Sequence, residues 1–221
     1  MTLEEAIAKI KPLDHNAMEI AQKRWDSIAK PLHSLGKLET LLIQIAGITG
    51  NAEVDLSRRG LIAMCADNGV VEEGVTQTGQ EVTAIVAENF LKYDTSVGVM
   101  CKQNHAEIFP VDMGMVTDTK VRTDHKIAYG TQNMTKGPAM TREQAVKGLE
   151  AGIDMVRELN DKGYRILATG EMGIGNTTTS SAVASVLLKQ PVEEMTGRGA
   201  GLTSEGLVRK INAIQKSHCI K

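Results

Sequence analysis

The sequence predicts an α/β protein: a parallel sheet with helices on both faces, preceded by a helical section. Three observations predict it. Apolar runs of strand length begin at Leu61, Ala106 and Tyr164, and they alternate with stretches of helical period. The run Leu61 to Ala66 is unbroken by a polar residue, as in a strand buried on both faces. Capping-box pairs, Thr2 with Glu5, Thr78 with Glu81 and Thr141 with Gln144, stand where helices should open.

Taken in order, Thr2 opens a short helix that closes before Pro12. From Asp14, the spacing of Ala17, Met18, Ala21, Trp25 and Ile28 is helical, and Pro31 stops that helix. Another helix runs from Leu35 to Ile48 and ends at Gly50. Residues 1–55 thus form a helical section, a cap or a dimer surface. Residues 56–221 form the α/β part. Its first strand ends in Asp67-Asn68-Gly69, at the strand end where open α/β sheets bind ligands, although an Asx-type turn is the plainer reading. A helix from Thr78 carries Val82, Ile85, Val86 and Phe90 on one face, and a shorter one runs from Thr95 to Gln103. The strand Ala106 to Val111 leads to Asp112 and Gly114. Residues 117–138 are polar and turn-rich, too long for an ordinary connection, which leans them towards a functional loop. The longest helix starts at Thr141 and stops at Gly163.

Composition excludes several classes. Hydrophobic residues make up 42%, enough for a core, and aromatics only 3%, so that core rests on aliphatic side chains. A net charge of −2 with scattered Lys and Arg leaves no footprint for nucleic acid. No run has the length of a membrane span, and the first ten residues do not read as a secretory signal. Three widely spaced cysteines suit reduced thiols in a cytoplasmic protein. The histidines have no spacing for a metal site or a nucleophile–base pair, and no Gly-x-Ser-x-Gly elbow occurs.

The stretch from Tyr164 to Leu188 is the most informative. An apolar strand enters a turn with Gly170, Gly173 and Gly175, and a helix opens at Asn176 with Thr177, Thr178 and Thr179. Positive φ at these glycines and free N–H groups at the helix start fit a phosphate or carboxylate; a structural turn fits equally well. Glu171 would repel a phosphate, so its presence suits a ligand that also carries a cation or a sugar hydroxyl. A second cluster, Gly197-Arg198-Gly199-Ala200-Gly201, precedes a helix carrying Lys210. That lysine could add a charge to a phosphate held by amides, while a solvated surface lysine is the plainer reading.

Six strings carry a family resemblance that runs in order from about residue 20 onward. They are Ser-Leu-Gly-Lys-Leu-Glu (34–39), Ala-Asp-Asn-Gly-Val (66–70), Val-Asp-Met-Gly (111–114), Gly-Pro-Ala-Met-Thr-Arg-Glu-Gln-Ala (137–145), Gly-Glu-Met-Gly-Ile-Gly-Asn-Thr-Thr (170–178) and Gly-Arg-Gly-Ala-Gly-Leu (197–202). Together they resemble nicotinate-nucleotide–dimethylbenzimidazole phosphoribosyltransferase. The resemblance implies a Rossmann-like parallel sheet, a homodimer and no metal or other cofactor. It implies phosphoribosyl transfer from nicotinate mononucleotide to 5,6-dimethylbenzimidazole, giving α-ribazole 5'-phosphate and nicotinate for the lower ligand of cobalamin. By motif position, Glu171 and Gly173, with Gly175, Asn176 and Thr177 around them, match the nucleotide loop. Gly199 and Lys210 match phosphate contacts, and Thr78 and Val86 match positions lining the benzimidazole pocket. A non-catalytic module binding a phosphorylated nucleotide is the alternative.

The sequence departs from the family pattern in places. Asn68 stands for a usual histidine, Thr179 for a usual proline, and Leu32-His33 for a usual Pro-Gly. The family's general-base glutamate lies in a Leu-Gly-Glu-Gly string, and no such string occurs in these residues. The α/β part is therefore expected to be incomplete at its C-terminal side, with Glu171 in a supporting role.

Overall fold

A computed structural model of the chain describes residues 1–219. Three parallel strands, β1 (Arg59–Ala66), β2 (Ala106–Gly114) and β3 (Ile166–Met172), form one sheet in the order β2-β1-β3. Met64 of β1 stands between Val111 of β2 and Glu171 of β3, which fixes the register. The period of two in β1 then decides what each face buries. Ala63 and Cys65 meet Ala87 and Phe90 of α4 (Glu81–Lys92) on one face. On the other, Ile62 meets Met155 and Leu159 of α6 (Arg142–Asp161). Between α4 and β2 lies α5 (Ser96–Gln103), its N-terminus capped by the Thr95 hydroxyl on Gly98 N–H.

The N-terminal helices are α1 (Leu3–Ala8), α2 (His15–Ser27) and α3 (Lys37–Thr49). Buried Ala17, Ala21 and Ala46, with Gly47 against Met18, let α2 and α3 lie close. Trp25 sits on α2 with the Lys30 ammonium 5.8 Å from its ring. Lys30 also pairs at 2.9 Å with the buried Glu39 of α3. Helix α1 leans on α6 instead, where Glu150 accepts from Leu3 N–H and Asp154 pairs with the terminal amine. After β3 come α7 (Asn176–Leu188), the single turn α8 (Val192–Met195) and α9 (Ser204–His218).

Two expected helix and strand details are corrected. Thr78 does not open α4: the cap position is Gln80, already in a helical conformation and without a side-chain cap. Gly79 disfavours a helical first turn there, and Thr78 is left exposed, its carbonyl accepting from the Thr76 hydroxyl. By contrast, the Thr2 and Thr141 capping boxes are both formed. The third strand runs on to Met172, so Gly170 and Glu171 belong to β3 rather than to the turn.

The connection 117–138 contains no helix or strand but is tied down along its length. Arg122 bridges to Val111, Ile127 N–H bonds to the Met113 carbonyl at 3.0 Å, and Gly130 N–H to that of Gly114 at 3.0 Å. It fences the outer edge of β2, where Pro110 offers no N–H. The chain leaves β1 for β2 across one face and returns past β1 to β3 across the other. A crevice therefore opens at the carboxyl ends of β1 and β3, the place where such sheets take ligands.

Candidate anion-binding site

Two strand ends and a turn feed this crevice. β1 delivers Asp67 and Asn68, β3 delivers Glu171, and the turn Gly173–Gly175 leads straight into α7. Of the three glycines expected to need positive φ, only Gly175 has it, at +92°. Gly173 is needed for space, and Gly170 lies close under a movable leucine side chain. A Cβ on Gly173 would strike the backbone oxygen of Ala66, and one on Gly170 would lie 3.1 Å from Leu61 Cδ2. The turn is then pinned from both sides. Asn68 Nδ2 donates to the Ile174 carbonyl at 3.1 Å, and Ile174 N–H donates to Thr83 Oγ1 of α4 at 3.0 Å.

Asn176, the first residue of α7, turns its side-chain amide back onto the Glu171 carboxylate. Glu171 keeps an open flank to solvent, yet its carboxyl group sits in an atom-crowded cleft. Desolvation there pushes that carboxyl above the usual range, and the Asn176 amide only partly opposes the rise. At the same helix start, no internal backbone carbonyl accepts from Thr177 N–H among the described residues.

Lys210 overturns the surface reading. It is 1% exposed, held inside α9 against the start of α7. Its Nζ donates to Thr177 Oγ1 at 2.7 Å and to the Gly197 carbonyl at 3.0 Å. Gly199, with φ of +56°, lies directly over this pair, and a Cβ there would come 2.7 Å from Thr177 Oγ1. Burial lowers the Lys210 ammonium below the usual lysine range, and no carboxylate among the described residues offsets it. Two glycine segments and one unneutralised ammonium therefore converge on the opening of α7. Such a group favours an incoming anion, which restores the charge balance that burial removed.

Glu171, Gly173, Gly175, Asn176, Thr177, Gly199 and Lys210 thus lie along one continuous stretch of structure. Thr78 and Val86 stand apart from it: Thr78 is exposed ahead of α4, and Val86 is half-buried against the Ala63–Phe90 core. Sequence reasoning missed Thr83 and undervalued Asp67. Asp67 is fully buried, its Oδ2 accepting from Val116 N–H at 2.8 Å. Burial pushes its carboxyl up, while the Thr83 hydroxyl and the Val116 amide pull the other way. The position of Asp67 at a strand end was a legible signal; Thr83, one threonine within an amphipathic helix, gave none. Among the described residues no group of His, Cys, Asp and Glu is placed to hold a metal ion. Nor is any described helix long and apolar enough to cross a membrane.

Comparison with known proteins gives this geometry a context. A family model described as "Phosphoribosyltransferase" matches residues 10–221. A nicotinate-nucleotide–dimethylbenzimidazole phosphoribosyltransferase of Ruminiclostridium cellulolyticum is 50% identical over 219 residues, 98% of this chain and 62% of that protein. The protein of the same name from Clostridium tetani is 46% identical over 97% of this chain and 60% of its own length. Among solved structures, CobT from Thermus thermophilus superposes with a TM-score of 0.83 at 36% identity, covering 91% of this chain and 61% of that one. The chain thus spans about three-fifths of the length of these relatives.

Proposed function

Since the chain belongs to the phosphoribosyltransferase family of those relatives, we propose that it forms the nucleotide-binding part of an enzyme moving phosphoribose from nicotinate mononucleotide to 5,6-dimethylbenzimidazole. The products are nicotinate and α-ribazole 5'-phosphate, the latter serving lower-ligand assembly of cobalamin. The observation that carries this reading is Lys210, a buried ammonium without an anionic partner among the described residues, aimed at the start of α7 between two glycine segments. A nucleotide phosphate supplies the missing negative charge. Glu171, at the end of β3, then lies where a ribose hydroxyl or the cationic pyridinium ring would meet a carboxylate.

In this reading the bond from the anomeric carbon to the pyridinium nitrogen breaks as a benzimidazole nitrogen attacks from the opposite side, with inversion. The bonding pair returns to the ring, and nicotinate leaves without the positive charge on its nitrogen. The azole nitrogen's proton must go to a base. Holding the phosphate at Lys210, Thr177 and Gly199 fixes the sugar for in-line attack, and such positioning carries much of the rate. Thr78 and Val86 would line the base pocket, and residues 1–55 would serve as a cap or a homodimer surface. A cytoplasmic location goes with the reading.

Titration with nicotinate mononucleotide tests it. Lys210→Ala and Glu171→Ala should each weaken binding, and unchanged affinity in both variants would sink the site assignment. One observation favours a second reading, a binding module without chemistry: residues 1–221 contain no Leu-Gly-Glu-Gly string to supply the expected base. Release of nicotinate by the purified chain, given both substrates, would exclude it.

A further inference from the structure

The backbone that carries Asn68 is fixed on both sides. Asp67 N–H donates to the Gly114 carbonyl at 2.9 Å, and the Asp67 carbonyl accepts from Thr131 N–H at 3.0 Å. Gly69 N–H donates to Thr131 Oγ1 at 3.1 Å. The Asn68 carbonyl takes both Gln80 Nε2 and Val71 N–H, each at 3.2 Å. A side chain rooted there is a fixed arm, and its amide reaches a turn 106 residues further along the chain.

That turn has little to hold a shape of its own. Ile174 makes no backbone–backbone hydrogen bond among the described residues: its N–H goes to Thr83 Oγ1 and its carbonyl to Asn68 Nδ2. The glycines on either side have the widest backbone freedom of any residue. Asn68 is wedged between them. A Cβ on Gly173 would lie 3.1 Å from Asn68 Nδ2, and one on Gly175 would lie 3.2 Å from Asn68 Cβ. Thr179 Oγ1, 3.4 Å from Asn68 Oδ1, faces the oxygen of the amide and leaves its nitrogen for Ile174.

The two halves of the crevice meet through this turn. Glu171 stands before it on β3, and Asn176 and Thr177 stand after it on α7. We propose that Asn68 is a positioning residue for nucleotide binding: its amide fixes the Gly173–Gly175 turn so that Glu171 and the opening of α7 face one nucleotide at the same time. Asn68 acts through the turn rather than on the ligand, and the proposal rests on the nucleotide reading given above. A ligand held only by its phosphate re-seats when the turn shifts. One held at both its phosphate and its sugar cannot, because each contact then fixes where the other must be.

Two variants of the 221-residue chain test it. Asn68→Leu keeps the branched shape and removes the donor, whereas Asn68→His restores one, since the ring Nδ1 branches from Cγ as the amide nitrogen does. Calorimetric titrations with nicotinate mononucleotide and, separately, with inorganic phosphate are run at about pH 8, where an imidazole of ordinary pKa, about 6.5, is neutral. Asn68→Leu should lose about tenfold or more in nucleotide affinity and no more than about threefold in phosphate affinity, and Asn68→His should regain most of the nucleotide loss. A merely less stable fold would lower both affinities by one factor. In the empty chain, the Asn176 amide, bonded to the Gly173 carbonyl at 3.0 Å, should exchange about tenfold faster in Asn68→Leu while β1 keeps its native protection. Equal losses for both ligands, a histidine variant no better than the leucine one, or native exchange at Asn176 would each overturn the proposal. A native chain that binds phosphate but no nucleotide would instead sink the functional reading, and Asn176 exchange would still decide whether Asn68 sets the turn.

Discussion

Thr83 accepts a hydrogen bond from the backbone of Ile174 at 3.0 Å, so a helix of the first crossover holds the turn that follows the third strand. The same hydroxyl faces the Asp67 carboxylate, whose Oδ2 takes Val116 N–H. One buried threonine thereby ties the end of β3 to α4, beside the Asp67–Val116 bond that joins the ends of β1 and β2.

Replacing it with Thr83→Val keeps the shape and removes the polar link. The loss should cost about 1–3 kcal/mol, because the buried Ile174 amide loses its acceptor. Thr83→Ser should recover most of it. Denaturant melts and the exchange rate of the Ile174 amide measure both effects; a valine variant with native stability and native exchange would show that the link is inert.

Lys210→Met replaces a buried, unneutralised charge with an apolar side chain of similar length. Without added anion, the variant should melt no lower than the native chain, since swapping buried charge for packed apolar volume is often neutral or stabilising. The gain on adding ligand should vanish. For the native chain, ligand at about a hundred times its dissociation constant adds about 2.7 kcal/mol. Thermal scans with and without nicotinate mononucleotide compare the two.

The lowered ammonium of Lys210 also sets a pH dependence. Between its folded value and the ordinary 10.5, the unfolded chain binds more protons than the folded one, so stability of the empty chain rises with pH across that window. As pH falls from 10.5 to the folded value, that contribution is lost. Binding an anion needs the charged form, so affinity should run the opposite way and weaken as pH rises through the same value. Calorimetric titration at a pH inside that window, in two buffers of different ionisation enthalpy, should show proton uptake on binding, and Lys210→Met should show none from this group.

Two glycine substitutions separate spatial need from backbone freedom. Gly173→Ala would drive a methyl group into the Ala66 carbonyl, and should cost about 1–3 kcal/mol or more. Gly137→Ala meets nothing within 4 Å and has no positive φ to strain. It should be neutral or add about 0.4–1 kcal/mol by restricting the unfolded chain. Urea midpoints of the two variants give the comparison.

Much of this was written in local pattern. The run Leu61–Ala66 announced a buried strand because both its faces are covered, and the 141–163 stretch carried its own cap and stop. What local pattern could not carry was depth. Nothing near Lys210 in sequence says that Gly197, Gly199 and Thr177 will close over it, since the burial comes from α7 packing on α9. Gly173 looked like a hinge and proved to be a clearance, because the atom that forbids a side chain there is the backbone oxygen of Ala66 in β1. Thr78 made a formally correct capping pair, yet Gly79 beside it left the helix to start two residues later. Thr83 was invisible for the same reason as Lys210: its partner is Ile174, beyond the end of a strand distant in sequence.

The chain has one tryptophan, and Trp25 lies on α2 within the helical hairpin, far along the chain from every residue of the crevice. Its fluorescence is therefore a private reporter on that hairpin. Heating the protein while following Trp25 emission beside far-ultraviolet dichroism distinguishes two melting behaviours. Coincident curves mean that the hairpin and the sheet rise and fall as one cooperative body; an earlier optical transition means that the first fifty residues come loose while the sheet still stands.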